Sequence, residues 1–248
     1  YGRPLRLNGA ACIGISQSGQ SPDIALMMRA AGQGGALTIA ITNFADSPMA
    51  QVSDHCLPLE AGVEKSVAAT KTFVTSVAAG LAMLADWQGD AALARAVADL
   101  PRALAQAVAL DWTALSDRLV RAESVFVLGR GPGYAVACEA ALKMKETSGI
   151  HAEAYSAAEV LHGPAALAQS RFPVLALGVP DAALPQLVTT AERLAAQGAD
   201  VFVTGGEAKG ALTLPTVPDL HPLVAPLVLA ASYYAFVEGL ARRRGFDP

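Results

Sequence analysis

Charge is scarce in this chain: 16% of its 248 residues are Asp, Glu, Lys or Arg, and the formal net charge is −4. The one basic cluster, Arg242–Arg244, reads as a set of cations at a helix C-terminus. Without a basic stripe, the chain is not expected to bind nucleic acid. Cysteine is equally sparse. Cys12, Cys56 and Cys138 are odd in number, far apart and set in apolar surroundings. They read as buried free thiols of a cytoplasmic protein, not as a disulfide framework or zinc site. The four histidines (His55, His151, His162, His221) lack ligand spacing, so no metal is expected. No apolar run reaches the ~18–20 uninterrupted residues of a membrane span. Nor does a signal-peptide pattern follow Tyr1, so no membrane association is expected.

Apolar residues are abundant instead, at 53%, enough for one large core or two smaller ones. Strand-like runs fall near residues 11–16, 36–42, 55–59, 124–129, 173–178 and 199–204, with a weaker one near 216–220. Helical patterns fall near residues 69–88, 91–108, 111–121, 134–148, 183–197 and 223–243, and a further helix opens at Pro22. Strands alternating with helices predict the α/β class, with doubly wound parallel sheets in three αβα layers. The chain also looks duplicated. HCLPLEAG leads into a long helix, Ala69–Trp87, much as VPDLHPLVAP leads into the helix ending near Arg243. Two subdomains are therefore expected, residues 1–110 and 111–248. The second opens with VFVLGRGPG, a strand and glycine turn without a counterpart before Ala11, so the first is expected to lack its opening strand–helix unit.

The run ISQSGQSPD, Ile15 to Asp23, is the most informative stretch. A buried strand ends in a turn rich in Ser, Gln and Gly, and Pro22 then opens a helix where its missing N–H costs nothing. Ser16, Ser18 and Ser21 thus converge with free backbone N–H groups on a helix N-terminus, which favours a dianion such as a phosphate monoester. The structural alternative is a plain turn with Ser21 as N-cap.

Acid–base candidates lie in the second half. Glu139, Lys143 and Glu146 share one helix face at spacings of four and three. His162 precedes a Gly-Pro turn, and its imidazole suits ring opening of a sugar near neutral pH. The alternatives are an ordinary surface salt-bridge ladder and a histidine bonded to a carbonyl of its own turn. GRGPG, Gly129–Gly133, lacks G-x-G-x-x-G spacing and reads as a close-approach loop at a strand end. A nicotinamide cofactor is not expected, and the cofactor expectation as a whole is none. In GVEKSVAATKTF, Gly62–Phe73, Thr70 and Lys71 start a long helix and either line a polar ligand or form a plain N-terminal turn.

SQSGQS, VAATKTF, EAALKMKE, IHAEAYSAAEVLHGP and the ending RRRGFDP, taken in order, resemble the SIS (sugar isomerase) domain family. The likeness extends to the isomerase half of glucosamine-6-phosphate synthase and to stand-alone phosphosugar isomerases and deaminases, and it covers nearly the whole chain. The resemblance implies that Ser16, Gln17, Ser18 and Ser21 hold the substrate phosphate, Ser21 standing where the synthases usually have threonine. It implies a backbone contact from Val67 to the sugar, with Ala69 in place of a frequent serine. Glu146 becomes the base that moves a proton between C1 and C2, with Lys143 supporting the developing charge. His162 opens the ring, often in the neighbouring subunit's site, which implies a homodimer with shared active sites. The family also has a serine-bearing loop after its first strand and a lysine in a C-terminal tail, neither of which these residues contain. No glutamine-hydrolysing domain lies within them either.

Two functions follow as expectations. The first is a phosphosugar isomerase/deaminase acting on an amino sugar phosphate or hexose phosphate, of the glucosamine 6-phosphate or fructose 6-phosphate type. The second is a non-catalytic sugar-phosphate-binding SIS regulator, which needs only the serine turn.

Overall fold

The computed structural model describes residues 4–66 and 68–248. They form two compact units, Tyr1–Gln88 and Gly89–Pro248. The division falls earlier than the expected boundary at 110, because the helices after Gln88 bury Leu93, Leu100, Ala103 and Ala107 within the second unit.

The first unit runs β1 (Ala11–Ser16), α1 (Pro22–Gln33), β2 (Leu37–Thr42), α2 (Pro48–Gln51), β3 (His55–Pro58) and α3 (Lys71–Gln88). Its strands are parallel in the order β1-β2-β3. Alternation along the strands sends Cys12, Ala40 and Cys56 to one face, where Met28 of α1 and Met49 of α2 pack over them. Ile13 and Ile15 of the edge strand β1 stay 42% and 56% exposed on the other. A reciprocal clamp fixes the start of β2. Asp54 accepts from the backbone N–H and the hydroxyl of Thr38, whose Oγ1 accepts from the Asp54 N–H in return.

The second unit runs α4 (Ala91–Ala98), α5 (Leu100–Ala107), α6 (Thr113–Leu119), β4 (Ser124–Gly129), α7 (Pro132–Ser148) and β5 (His151–Ser156). Two 3₁₀ turns follow, Glu159–His162 and Pro164–Leu167, and then β6 (Pro173–Leu177), α8 (Leu184–Ala196), β7 (Asp200–Val203), β8 (Leu212–Thr213) and α9 (Ala225–Arg243). The parallel sheet has the order β5-β4-β6-β7-β8, doubly wound about β4. Phe126, Leu128, Val174, Ala176, Val201 and Val203 face α8 and the 3₁₀ turns. The intervening residues of the strands face α7, whose broad buried side also meets α9.

Four local expectations need correction. The pattern at 91–108 is two helices, because Pro101 in the first turn of α5 cannot continue the hydrogen-bonding of α4. Residues 216–220 form no strand, since Pro215 and Pro218 remove ladder donors; Leu212–Thr213 pairs with β7 instead. β5 was not expected as a strand. It is an edge strand with His151 and Glu153 exposed, so it lacks the continuous apolar run of the inner strands. Finally, the thiols are not all buried: Cys138 is exposed on the outer side of α7, and Cys12 and Cys56 are half-buried.

Candidate functional site

β1 ends on Ser16, and the turn that follows is tied from within and from outside. Ser16 Oγ accepts from the Gly19 N–H at 3.1 Å, and Ser18 Oγ accepts from the Gln20 N–H at 3.3 Å. From β2, the Thr42 hydroxyl and the Asn43 N–H both donate to the Gln17 carbonyl, while the Met49 N–H donates to the Gly19 carbonyl. Gly19 is buried at φ +61°, and an added Cβ would meet Ser47 Oγ at 2.2 Å. The backbone course past Ser18 therefore depends on having no side chain at residue 19.

Ser21 occupies the N-cap position of α1 with extended backbone, yet its hydroxyl makes no capping bond. That removes the main structural use for this side chain. Ser16, Ser18 and Ser21 are half-buried and Gln17 is exposed, around the start of a 12-residue helix whose first N–H groups lack intrahelical acceptors. The structure thus brings these four residues together as an anion-compatible bend.

Val67 lies outside the described residues. Around it, the segment leading to α3 is held by side chains that sequence reading left unassigned. Glu64 Oε2 accepts from both the N–H and the hydroxyl of Thr72, capping α3 from eight residues away. Burial alone would raise the Glu64 carboxyl, but the bonds from Thr72 and the Lys71 charge outweigh it and hold it below the usual glutamate range. Lys71 Nζ donates to the Val63 carbonyl, so Lys71 has a structural task at the start of the helix. Capping motifs are read within four residues, and a cap at a distance of eight leaves no local signal.

On α7, Lys143 lies between two carboxylates. Its Nζ is 2.9 Å from Glu146 Oε2 and 3.3 Å from Glu139 Oε1. This is not a surface ladder, because the Lys143 side chain is 6% exposed and that of Glu139 11%; Glu146, at 30%, is the open member. Two consecutive tyrosines of α9 complete the group. Tyr233 donates to the Ala140 carbonyl at 2.6 Å, and Tyr234 donates to Glu139 Oε1 at 2.7 Å. Full burial, reinforced by the Glu139 charge, pushes the Tyr233 hydroxyl well above its ordinary range, so it remains a donor. Nothing in the sequence spacing links α9 to α7, which is why the tyrosines escaped notice.

His162 is exposed at the end of the first 3₁₀ turn and has no hydrogen-bond partner among the described residues. The expected alternative, a bond within its own turn, is not formed. Its position relative to Glu146 follows from topology. Glu146 lies near the C-terminal end of α7, next to the start of β5, whereas His162 follows the end of β5. At about 3.3 Å per strand residue these places are on the order of 15–20 Å apart. They also lie on opposite faces of the sheet, since Val160 and Ala165 join the α8 layer and α7 covers the other side. One copy of the unit therefore does not bring His162 to Glu146.

Among the described residues no helix is long and apolar enough to cross a membrane. No cluster of three His, Cys, Asp or Glu side chains among them is placed to hold a metal ion.

Known proteins resemble this chain in fold and sequence. A protein from Silicibacter pomeroyi DSS-3, provisionally assigned as a phosphosugar isomerase, superimposes with a TM-score of 0.96 at 50% identity, over 99% of this chain and 75% of that one. The C-terminal domain of glucosamine-fructose-6-phosphate aminotransferase from Francisella tularensis gives 0.89 at 27% identity, over 100% and 74%. In sequence, the glutamine–fructose-6-phosphate aminotransferase (isomerizing) of Zymomonas mobilis is 34% identical across 100% of this chain, which spans only 44% of that relative. The chain thus covers less than half the length of the curated relatives it matches. The model described as SIS domain matches residues 7–85 and 118–239, and with these relatives it shows that the chain belongs to the SIS domain family.

Proposed function

We propose that this protein is a phosphosugar isomerase/deaminase that opens the ring of an amino sugar phosphate or hexose phosphate and moves a proton between C1 and C2. The observation that carries this reading is the largely buried Glu139–Lys143 pair with the open Glu146 carboxylate beside its fixed ammonium. A sugar-phosphate sensor has no need of such a pair. The relatives of this chain support the same reading, since they include a glutamine–fructose-6-phosphate aminotransferase (isomerizing).

In this reading the substrate's phosphate takes the place prepared by Ser16, Gln17, Ser18 and Ser21. Glu146, the accessible carboxylate, accepts the proton from one of the two carbons and returns it to the other. Lys143 offers its ammonium to the oxygen that gains charge in the enediol-like intermediate. Where C2 carries an amine, the same proton transfer from C2 to C1 turns the open-chain 2-amino aldehyde into an imine at C2. Water adds to that C=N bond to release ammonia and leave the ketose phosphate. His162 opens the ring. Because topology separates His162 from Glu146 within one copy, we assign it to the site of a second copy, giving a homodimer with shared sites. Val67 is assigned a backbone contact to the sugar, and cytoplasmic location fits the free thiols.

Incubation with glucosamine 6-phosphate and fructose 6-phosphate in deuterated water tests the reaction. Deuterium is expected at C1 or C2, and Glu146→Gln is expected to abolish exchange while retaining phosphosugar binding. Binding without exchange for every hexose and hexosamine phosphate tried refutes catalysis and favours the sensor. Mixing inactive Glu146→Gln and His162→Asn proteins tests the shared site. Random reassortment of dimers should restore about a quarter of the wild-type rate, since half the dimers are mixed and each has one intact site.

A further inference from the structure

We propose that Tyr234 is a positioning residue whose phenol, by occupying Glu139 Oε1, turns the Lys143 ammonium toward Glu146. The inference rests on the reading of Glu146 and Lys143 given above, to which it adds a residue on a different helix. Glu139 is more buried than Glu146, and attraction to an ammonium is stronger where water is excluded. Lys143 should therefore draw closest to Glu139. The reverse is found: Nζ is 2.9 Å from Glu146 and 3.3 Å from Glu139. The Glu139 oxygen nearest to Lys143 is the very atom that accepts the Tyr234 hydroxyl at 2.7 Å. A carboxylate oxygen already serving a short hydrogen bond satisfies the ammonium less well, so the better contact goes to Glu146.

Register makes the arrangement stable. Tyr233 bonds to Ala140 and Tyr234 to Glu139, so adjacent residues of α9 meet adjacent residues of α7, and the buried Tyr233 fixes the pairing. By alternation the residues on the α7 side of β5 are Ala152, Ala154 and Ser156, none of which carries a charge. The hydroxyl of Tyr233, also on α9, feels the Glu139 charge as well.

Tyr234→Phe tests the proposal directly. In a crystal structure of this variant, Lys143 Nζ is expected to move to within about 3 Å of Glu139 and away from Glu146. An unchanged 2.9 Å contact with Glu146 overturns the proposal, whatever reaction the protein performs. In the exchange assay, a displaced ammonium should lower the rate about tenfold or more, with phosphosugar Kd held within twofold. A wild-type rate in Tyr234→Phe overturns the proposal, whereas absence of exchange in the wild type overturns the proposed reaction instead. Should the single variant fold poorly, the double variant Tyr234→Phe/Glu139→Gln decides. If the phenol acts through Glu139, adding Tyr234→Phe to Glu139→Gln changes nothing further, and additive losses refute the link.

Discussion

Replacing Gly19 by alanine attacks the serine bend at its most constrained atom. The residue sits at φ +61°, where an L side chain costs about 1 kcal/mol. Its new methyl would lie 2.2 Å from Ser47 Oγ and 2.6 Å from Ser47 Cβ. Ser47 is 1% exposed and cannot retreat into water, and its hydroxyl caps α2 by accepting from the Ala50 N–H. Displacing it therefore adds a cap loss of about 1 kcal/mol, and a packing strain of at least about 1 kcal/mol more. The expected total is roughly 3 kcal/mol of stability, read as a fall in urea midpoint at unchanged slope. Phosphosugar affinity should fall with it, since the course of the chain through Ser16, Gln17 and Ser18 is what the glycine permits. Ser18→Ala is the matched control. Its hydroxyl accepts one exposed hydrogen bond at 3.3 Å, so the stability change should stay within about 0.5 kcal/mol. Affinity, in contrast, should drop about tenfold for a lost bond to a charged group, measured by calorimetry. Full affinity and stability in Gly19→Ala, or undiminished affinity in Ser18→Ala, would refute the phosphate bend.

Lys143→Met leaves the nearly buried Glu139 carboxylate without its cation, and a loss of about 3 kcal/mol or more is expected in urea unfolding. Loss below about 1 kcal/mol would mean that water reaches this group freely. Arg244 holds four carbonyls at the ends of α6 and α7, those of Leu119, Val120, Ala122 and Ser148. Arg244→Ala should cost about 2–4 kcal/mol at roughly 1 kcal/mol per bond, and Arg244→Lys, lacking the fork, should recover less than half of it. The depressed Glu64 carboxyl predicts acid fraying of α3. Its stabilising effect is complete above the unfolded-chain glutamate value of about 4.3 and is lost as pH falls further, through the folded value. Faster amide exchange at Thr72 on acidification checks this, after correction for intrinsic rates, and Glu64→Gln should remove the pH dependence.

How much of this was legible in the sequence depended on the range of each interaction. β2, β4 and β6 announced themselves as apolar runs, because inner strands of a parallel sheet are buried wholly or largely on both faces. The edge strand β1 reads as an apolar run although Ile13 and Ile15 stay exposed. The serine bend was legible because strand, turn and Pro22 are contiguous. Glu139, Lys143 and Glu146 could be placed on one helix face from spacing alone, but their burial could not, since it comes from α9 packing against α7. Tyr234, Glu64 and the Thr38–Asp54 clamp act across 95, 8 and 16 residues respectively, where periodicity has nothing to say. β5 was hidden for the opposite reason: an edge strand with water on one side reads as a polar segment.

The position of the acid–base group also bears on how the proposed reaction divides. Open parallel sheets bind ligands at the C-terminal ends of their strands, where the serine bend follows β1 and GRGPG follows β4. Glu146 is not at such an end. It lies fourteen residues beyond Pro132, about 21 Å along α7 at 1.5 Å per residue, near where β5 begins. The helix that starts at the C-terminal edge of the strands thus carries Glu146, the carboxylate proposed to move the proton, toward the opposite edge of its own sheet. In the proposed reading, the first unit carries the residues assigned to the phosphate and the second those assigned to proton transfer. Binding and proton transfer should then separate cleanly under mutation. Ser18→Ala should weaken phosphosugar binding with the exchange rate at saturation preserved, and Glu146→Gln should do the reverse. A variant of either residue that reduces both to the same degree would place the two functions on one element, contrary to the topology.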